Sequence, residues 1–413
     1  MKTRRKFLRK GLIILLTLSL VFLATMGGAV SQAEEIHLGI LLSLTGDLAE
    51  FSTSVLKAMR MAVDDINDAG GPLGKKIKLF VADEATDPEQ AITGARKLIS
   101  VNRVNAIIGP FSDGVLAIYS FCRGHEIPII SQWSGSTELD IIGGDYQFPT
   151  CPSDSFSGYV VGKFVHDDLG YKKIGMVILN TENYRSYALG VREQIEKFGG
   201  GIVSEIIVNP GQTSYRSALR DVHKAGPDLV YLGVGLDEAP IILKQWYQGD
   251  YSEPLWLSDM MVQEKLFDLV GKEPVEGAYG AIIAPSLETV PYEIFAMKYE
   301  AYTDQKPEWY NENAYDAVNL YALAIEAAGE ASGKAISENL RSVANAPGVV
   351  VHTFAEGAAN LRLGYEINYE GASGSVDLDE FGNTGGGAVI TKAENGEWVT
   401  IAFLTAAEIL GVE

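Results

Sequence analysis

From residue 36 onward, short apolar runs alternate with segments whose apolar residues recur at helical spacing, and this alternation restricts the fold more than any other feature. The first run, residues 36–43, is typical of a strand that is buried on both faces of a sheet. Val55, Met59 and Ala62 then recur at intervals of four and three, which indicates a helix. Repetition of this order predicts a mainly parallel sheet flanked by helices.

The alternation occurs in two series. The predicted strands lie at 36–43, 77–83, 104–109 and 127–131 in the first series, and at 174–179, 202–208, 229–233 and 255–258 in the second. The segment from Phe148 to Pro152 interrupts the pattern, and we interpret it as a crossover between two lobes. After Gly277 come a short strand at 278–283, three helical stretches, and a Gly-rich tail from about Gly364 that reads as antiparallel strands.

A chain of 413 residues is too long for one simple core, so two lobes are expected. We predict an α/β protein in which residues 34–150 and about 278–355 form lobe 1. Residues from about 151–277 and 356–413 are predicted to form lobe 2.

Residues 1–33 have the organisation of an export signal. Six bases and no acid precede or flank the apolar run from Gly11 to Ala24, and Ser31-Gln32-Ala33 is a small-x-small cleavage site. Cleavage after Ala33 would release residues 1–33 as a signal peptide, although an uncleaved anchor stays open. The segment from Thr3 to Arg9 resembles a twin-arginine signal, while the apolar run suits the general secretory route equally well.

The remaining chain is strongly acidic. The formal net charge is −21, and because residues 1–33 carry six bases and no acid, the other 380 residues carry −27. Such a surface repels nucleic acid and anionic lipid, so DNA, RNA and membrane-surface roles are not expected. The two cysteines, Cys122 and Cys151, could form a disulfide in an oxidising compartment or remain as two buried thiols.

Motifs of the common enzyme classes are absent from the sequence. There is no Gly-x-Ser-x-Gly, His-Glu-x-x-His, P-loop or Cys-x-x-Cys motif, and the five histidines are scattered. We therefore predict that the protein is not an enzyme and needs no metal or other cofactor.

Polar turns follow several predicted strands, at the sheet edge where open α/β sheets bind ligands. In the first series these turns are Ser43–Gly46, Gly109–Gly114 and Ser131–Ser136. Hydroxyls and free backbone N–H groups there suit a carboxylate. Ordinary turn chemistry explains any one of them alone, whereas three in one sheet favour a binding site.

In the second series, Tyr184 and Asp259 follow strands in the same way. Asp259 could pair with an ammonium group or could cap a helix before Gln263. Phe51, Trp133, Tyr184 and Tyr310 are candidates for apolar walls of a pocket, with core packing as the alternative for each.

Several segments together resemble the leucine/isoleucine/valine-binding protein family. They include Gly39 to Gly46, the stretch Asn67-Asp68-Ala69-Gly70-Gly71-x-Leu73-Gly74, the later Asp87-Pro88, Ala314 to Ala317, and Gly371 to Gly382. The resemblance covers most of the chain after residue 33.

This resemblance implies a type I periplasmic-binding fold, in which two Rossmann-like lobes with parallel sheets are joined by crossover strands and close on a ligand. It also implies export to the periplasm and delivery of the ligand to ABC permease subunits, and we expect a monomer. The family's ligand-binding positions fall on Ser112, Gly114, Trp133, Ser134 and Ser136 for a carboxylate, on Asp259 for an ammonium group, on Tyr184 beside the ligand, and on Phe51 and Tyr310 in the side-chain pocket.

The sequence departs from the family at several of these positions. Asp113 and Gly114 stand where the branched-chain binders carry serines, Gly235 replaces a usual tyrosine, Trp133 is bulkier than expected, and Thr86 replaces a disulfide cysteine. We predict capture of a small amino acid of the branched-chain type for an ABC importer. The alternatives are an aromatic or short-chain carboxylic acid or an amide as the ligand, and a ligand-sensing receptor without transport.

Overall fold

The computed structural model describes residues 35–46, 48–283 and 289–404. The predicted signal peptide at 1–33 lies outside these described residues. In the described part of the chain, no helix combines the length and the apolar character needed to cross a membrane.

Strands and helices of the described residues alternate as follows. The strands are β1 (Ile36–Leu42), β2 (Ile77–Asp83), β3 (Ala106–Ile108), β4 (Ile129–Ser131), β5 (Gln147–Pro149), β6 (Lys173–Leu179), β7 (Gly201–Val208), β8 (Leu229–Gly233), β9 (Leu255–Leu257), β10 (Tyr279–Ile283), β11 (Val349–Val351), β12 (Ile367–Gly371), β13 (Gly374–Ser375), β14 (Ala388–Glu394) and β15 (Glu397–Leu404). The helices are α1 (Ala49–Asp68), α2 (Pro88–Ser100), α3 (Ser112–Gly124), α4 (Asp154–Asp167), α5 (Glu182–Lys197), α6 (Arg216–Lys224), α7 (Ala239–Gln248), α8 (Lys265–Val270), α9 (Val290–Thr303), α10 (Asn311–Ala328), α11 (Gly333–Ala344) and α12 (Phe354–Arg362).

Lobe 1 is built on a fully parallel sheet with the strand order β2-β1-β3-β4-β5. One face of the sheet packs against α1 and α10, and α10 is buried along most of its length. The other face packs against α2 and α3. The four strands predicted for the first series are all present, and the predicted crossover segment begins with the fifth strand, β5.

Lobe 2 is built on a seven-stranded sheet with the order β15-β14-β10-β9-β8-β6-β7. Strands β6 to β10 are parallel, whereas β14 and β15 are antiparallel to their neighbours. Helices α4 and α5 cover one face, where Trp256 is fully buried, and α6, α7 and α8 cover the other. Helices on both faces of a parallel sheet explain why its strands read as continuous apolar runs.

The boundaries that the sequence analysis set between the lobes need two corrections. Strand β10 pairs with β9 and β14, so it belongs to lobe 2, whereas residues 278–355 had been assigned to lobe 1. Conversely, Ala358 and Tyr369 lie in the core of lobe 1, although the sequence prediction places 356–413 in lobe 2. An apolar run shows that a segment is buried, but it does not show which sheet the segment joins.

Asp316 connects two of the segments on which the family resemblance rests, Ala314 to Ala317 and Gly371 to Gly382. Its buried carboxylate accepts hydrogen bonds from the backbone N–H groups of Ala372 (2.9 Å) and Ser373 (2.7 Å). The hydroxyls of Ser373 (2.6 Å) and Tyr369 (2.7 Å) donate to the same carboxylate. These bonds hold the chain after β12 against α10, just before it crosses to lobe 2.

The chain passes between the lobes three times. The crossings lie at 150–153, between Ile283 and Thr289, and at 376–387. The first and third run side by side, because Pro152 and Thr384 form a parallel bridge. The first and third crossings are therefore adjacent strands of chain between the two lobes.

Candidate ligand-binding cleft

The predicted polar turns of lobe 1 lie at the carboxyl ends of β1, β3 and β4, along one edge of the sheet. Ser112 and Gly114 are buried in the first turn of α3, a helix of 13 residues. The first N–H groups of a helix have no partner within the helix and carry partial positive charge. This turn is therefore suited to an anionic group.

Hydroxyl groups tie together the turns after β3 and β4. The Oγ atoms of Ser131 and Ser134 each lie 2.7 Å from the carbonyl oxygen of Pro110 and 2.7 Å from one another. The indole Nε1 of the half-buried Trp133 donates to the carbonyl of Gly109 at 2.8 Å. The hydroxyl of Ser134 is thus engaged within lobe 1, where it fixes the two turns.

Ser136, another predicted ligand residue, is fully buried and caps a 3-10 turn at Thr137–Leu139, since its Oγ accepts from the N–H of Glu138. Phe51 lies half-buried in the first turn of α1. Its carbonyl accepts from the hydroxyl of Ser54, which in turn accepts from the side chain of Asn311 beside Tyr310. Phe51 and Tyr310 therefore share one corner of lobe 1.

On the lobe 2 side, Tyr184 occupies the space next to Gly235. A Cβ atom on Gly235 would lie 2.5 Å from the phenol oxygen of Tyr184, closer than any real contact. Gly235 is the position where the family usually has a tyrosine. The absence of a side chain at Gly235 is what lets the Tyr184 phenol lie there.

Asp259 lies two residues after the end of β9 and contacts lobe 1 across the cleft. Its carboxylate accepts from the N–H of Met260 at 2.8 Å and from the phenol of Tyr310. Part of its surface remains exposed, but desolvation by the groups around it raises the pKa of Asp259 to about 6. The contact with Tyr310 brings together two residues that lie 51 positions apart and were both predicted for the site.

A second contact across the cleft was not predicted. The hydroxyl of Ser186 on α5 accepts from the N–H of Thr137 at 2.8 Å and donates to the hydroxyl of Thr137 at 3.2 Å. Thr137 belongs to lobe 1, so this is a second direct contact between the two lobes. Serine and threonine are common at surfaces, and their sequence pattern contains no signal for this pairing.

Tyr310 has an unusual backbone, with a left-handed φ of 67° immediately before α10. Glu312, two residues later, is almost fully buried, and its carboxyl accepts hydrogen bonds from its own N–H and from the N–H of Tyr310. Burial, with a small contribution from Asp316, raises the pKa of Glu312 to about 8. Glu312 thus helps to hold Tyr310 in the conformation from which its phenol reaches Asp259.

Glu84 is a further residue that sequence reasoning missed. It follows β2, and its side chain is fully buried. Its Oε1 accepts from the N–H of Phe111 at 3.0 Å and from the hydroxyl of Ser43 at 3.3 Å. An acidic pair after a strand reads as an exposed turn, and only the passage of α3 over Glu84 buries it.

Both cysteines are buried free thiols, so of the two alternatives left open by the sequence the disulfide is not formed. Burial raises the pKa of the Cys122 thiol to about 12. Among residues 35–46, 48–283 and 289–404, no group of three or more His, Cys, Asp or Glu is arranged to hold a metal ion.

Comparison with known proteins agrees with this geometry. The sequence profile of the periplasmic binding protein family matches residues 35–360, well over half of the chain. The chain belongs to this family. The family consists of solute-binding proteins that supply small molecules to ABC transporter permeases, and its members are not enzymes.

Individual relatives bear out the resemblance to the leucine/isoleucine/valine-binding proteins and the type I fold. Leu/Ile/Val-binding protein homolog 1 of Brucella melitensis is 26% identical over 308 residues, 74% of this chain and 82% of the relative. The branched-chain amino acid transporter substrate-binding protein LivJ of Streptococcus pneumoniae, solved with isoleucine, has a TM-score of 0.74 and 24% identity, covering 90% of this chain and 99% of that one. A solute-binding protein of an R. palustris ABC transporter, solved with benzoate, has a TM-score of 0.73 and 18% identity, covering 90% and 97%.

Proposed function

We propose that this protein is the extracytoplasmic solute-binding component of an ABC importer and that it captures a small amino acid of the branched-chain type between its lobes. The observation that carries the proposal is Asp259, a carboxylate that follows β9 and meets Tyr310 of lobe 1 across the cleft. A ligand that contacts both lobes favours the closed form, because only that form offers both sets of contacts.

The carboxylate of the ligand would bind at the first turn of α3, near Ser112 and Gly114. Backbone N–H groups at a helix start provide both donors and favourable potential for an anion. The hydrogen bonds among Ser131, Ser134 and Pro110 support this role, since they fix the neighbouring turn in place. Trp133 would then form part of the floor beneath the ligand.

The ammonium group of the ligand would pair with Asp259, with Tyr184 beside it. Because its pKa is raised to about 6, Asp259 is ionised at neutral pH and loses its charge as the pH falls through about 6. Affinity for an amino acid should therefore increase as the pH rises through that value. Phe51 and Tyr310 would contact the aliphatic side chain.

A second ligand class is favoured by a specific observation. The indole of Trp133 lies on the lobe 1 side of the cleft, and Gly114 leaves that site without a side-chain hydroxyl. An aromatic carboxylate such as benzoate could stack on the indole and use the same N–H groups of α3. Such a ligand has no ammonium group and would not need an ionised Asp259.

Export and delivery of the ligand to a transporter are further parts of this proposal. We infer that residues 1–33 direct the chain to the periplasm and that ABC permease subunits receive its ligand there. Fractionation of cells that produce the full chain would test the location, and an N-terminal sequence starting at Glu34 would establish the cleavage site.

The ligand can be tested by thermal unfolding with added solutes, followed by calorimetry. A ligand at 100 times its dissociation constant stabilises the folded state by ~2.7 kcal/mol, which raises the melting temperature by a few degrees. We expect a shift with L-leucine or L-isoleucine. A shift with benzoate alone would select the second ligand class, and no shift with either class would contradict the proposal.

Asp259→Asn then tests the ammonium site. It should weaken L-leucine binding at least tenfold, because a desolvated ammonium group loses its charged partner, and it should leave benzoate binding unchanged. Asp268→Asn, which removes an exposed carboxylate on α8, is the matched control. Equal L-leucine affinity in the two variants would refute the role given to Asp259.

A further inference from the structure

Glu84 lies where the carboxyl ends of β1, β2 and β3 meet the start of α3. In a sheet of order β2-β1-β3-β4-β5, the crevice between β1 and β3 is the point where ligands bind. Ser43 follows β1 and Phe111 follows β3, and both donate to Oε1 of Glu84. One buried carboxyl therefore connects the three turns around that crevice.

The second oxygen of Glu84 points at the helix start. Oε2 is buried and has no hydrogen-bond partner among the described residues. A Cβ atom on Gly114 would lie only 2.5 Å from it, so Oε2 lies directly against the backbone of the first turn of α3. The absence of a side chain at Gly114, noted as a departure from the family, is what makes room for the carboxyl.

The charged groups around Glu84 are acidic. Asp83 precedes it on β2, and its carboxylate accepts from the hydroxyl of Thr45 at 2.7 Å. Asp113 lies in the first turn of α3. No described Lys or Arg forms a salt bridge with Glu84. Desolvation raises the pKa of Glu84 well above its ordinary value, and the charge of Asp83 adds to the effect.

We propose that Glu84 is a positioning residue that controls the affinity of the α3 turn for a ligand carboxylate according to its own charge. When Glu84 is neutral, its carboxyl accepts from the N–H of Phe111 and adds no negative charge at the N-terminus of α3, where the ligand's carboxylate would bind. In the ionised form it lies against the same first turn and repels the ligand's carboxylate. This inference rests on the proposed function, because it assumes that a carboxylate binds at α3.

The expected pH dependence differs between two probe ligands. Benzoate stays ionised above about pH 5 and has no ammonium group, so its affinity should fall at least about tenfold as the pH rises and Glu84 ionises. L-leucine should show a maximum instead. Its affinity rises as Asp259 ionises near pH 6 and falls when Glu84 does.

The test is calorimetric titration of the protein with each probe from about pH 5 to about pH 8.5, a range that contains the pKa of Asp259 and extends well above the ordinary pKa of a glutamate. Glu84→Gln keeps the shape of the side chain and cannot ionise. The variant should bind both probes at low pH as the wild type does, and its affinity for them should not fall at high pH. Glu89→Gln removes an exposed carboxyl from the same segment and should behave as the wild type. Circular dichroism of each variant confirms that it is folded.

Gly114→Ala gives a second, independent readout. The added methyl group collides with Oε2 of Glu84, so it should weaken binding strongly in the wild type and less in a Glu84→Ala background, where the carboxyl is gone. Equal losses in the two backgrounds would overturn the proposal, as would the same high-pH decline in Glu84→Gln. If neither probe binds the wild type at any pH, the proposed function fails, and this inference fails with it.

Discussion

Glu312 allows a quantitative prediction about stability. Glu312 is 3% exposed, and burial raises its pKa to about 8, well above the ordinary value of 4.5. Between pH 4.5 and about pH 8, Glu312 is protonated in the folded chain and ionised in the unfolded chain. The free energy of unfolding must therefore fall as the pH rises through this window. With ~1.4 kcal/mol per pKa unit, Glu312 alone accounts for a loss of about 3 kcal/mol between about pH 5 and about pH 8.

Glu312→Gln removes this ionisation and keeps the size of the side chain. Other buried carboxyls also contribute to the pH dependence, but they are common to both proteins. The stability of the variant relative to the wild type should therefore increase by about 3 kcal/mol from about pH 5 to about pH 8. Urea unfolding at several pH values, followed by both tryptophan fluorescence and circular dichroism, measures this difference.

The matched control is Glu300→Gln, which changes an exposed carboxyl on α9. Its stability relative to the wild type should not vary with pH by more than a few tenths of a kcal/mol. A stability difference for Glu312→Gln that stays constant across the same range would show that Glu312 is ionised in the folded protein at low pH, and would refute the argument from burial.

Three further predictions concern single positions. Asp87→Ala should cost about 1 kcal/mol of unfolding free energy, because the Asp87 carboxylate caps α2 by accepting from the N–H of Gln90; chemical denaturation measures the loss. Gly235→Ala should weaken L-leucine binding about fivefold in calorimetry with little effect on stability, since the new methyl group forces the Tyr184 ring from its rotamer at ~1 kcal/mol. Cys122 and Cys151 should react with Ellman's reagent only slowly in the native protein and at once in urea; fast reaction of the folded chain would contradict their burial.

The sequence predicted most strands correctly because a strand buried on both faces has few alternatives. The runs at 77–83 and 229–233 form strands with those same bounds, and Asp87-Pro88, a pair typical of a helix start, caps and begins α2. These features depend on local composition and capping, which a single sequence contains.

Helix α4 shows where such local reasoning fails. The alternation read from the sequence contains no named element between the crossover at 148–152 and the strand at 174–179, and Gly158 and Gly162 weaken the helical signal there. In the structure these glycines face α5. A Cβ atom on Gly158 would lie 2.1 Å from the carbonyl carbon of Gly190, and one on Gly162 would lie 2.8 Å from Cβ of Gln194. The residues that oppose a helix locally are the ones that allow two helices to pack closely.

The candidate site was predictable in outline only. The turns after β3, β4 and β9 follow from the general rule for open α/β sheets, and they contain Ser112, Trp133 and Asp259. The bond between Asp259 and Tyr310, and the burial of Glu84, depend on segments far apart in the chain. A pattern within one segment contains no information about such pairs.

The three crossings between the lobes have a consequence for the order in which the protein can be assembled. All five strands of the lobe 1 sheet are present once Pro149 has been synthesised, but the face that α10 covers stays open until Ala328. Likewise, β10 lacks its antiparallel neighbour until residues 388–394 arrive. Neither lobe can complete its core from a contiguous stretch of chain. Folding of either lobe is therefore expected to be completed only when almost the whole polypeptide has left the ribosome. A nascent chain shorter than about 390 residues should be incompletely folded and sensitive to proteases.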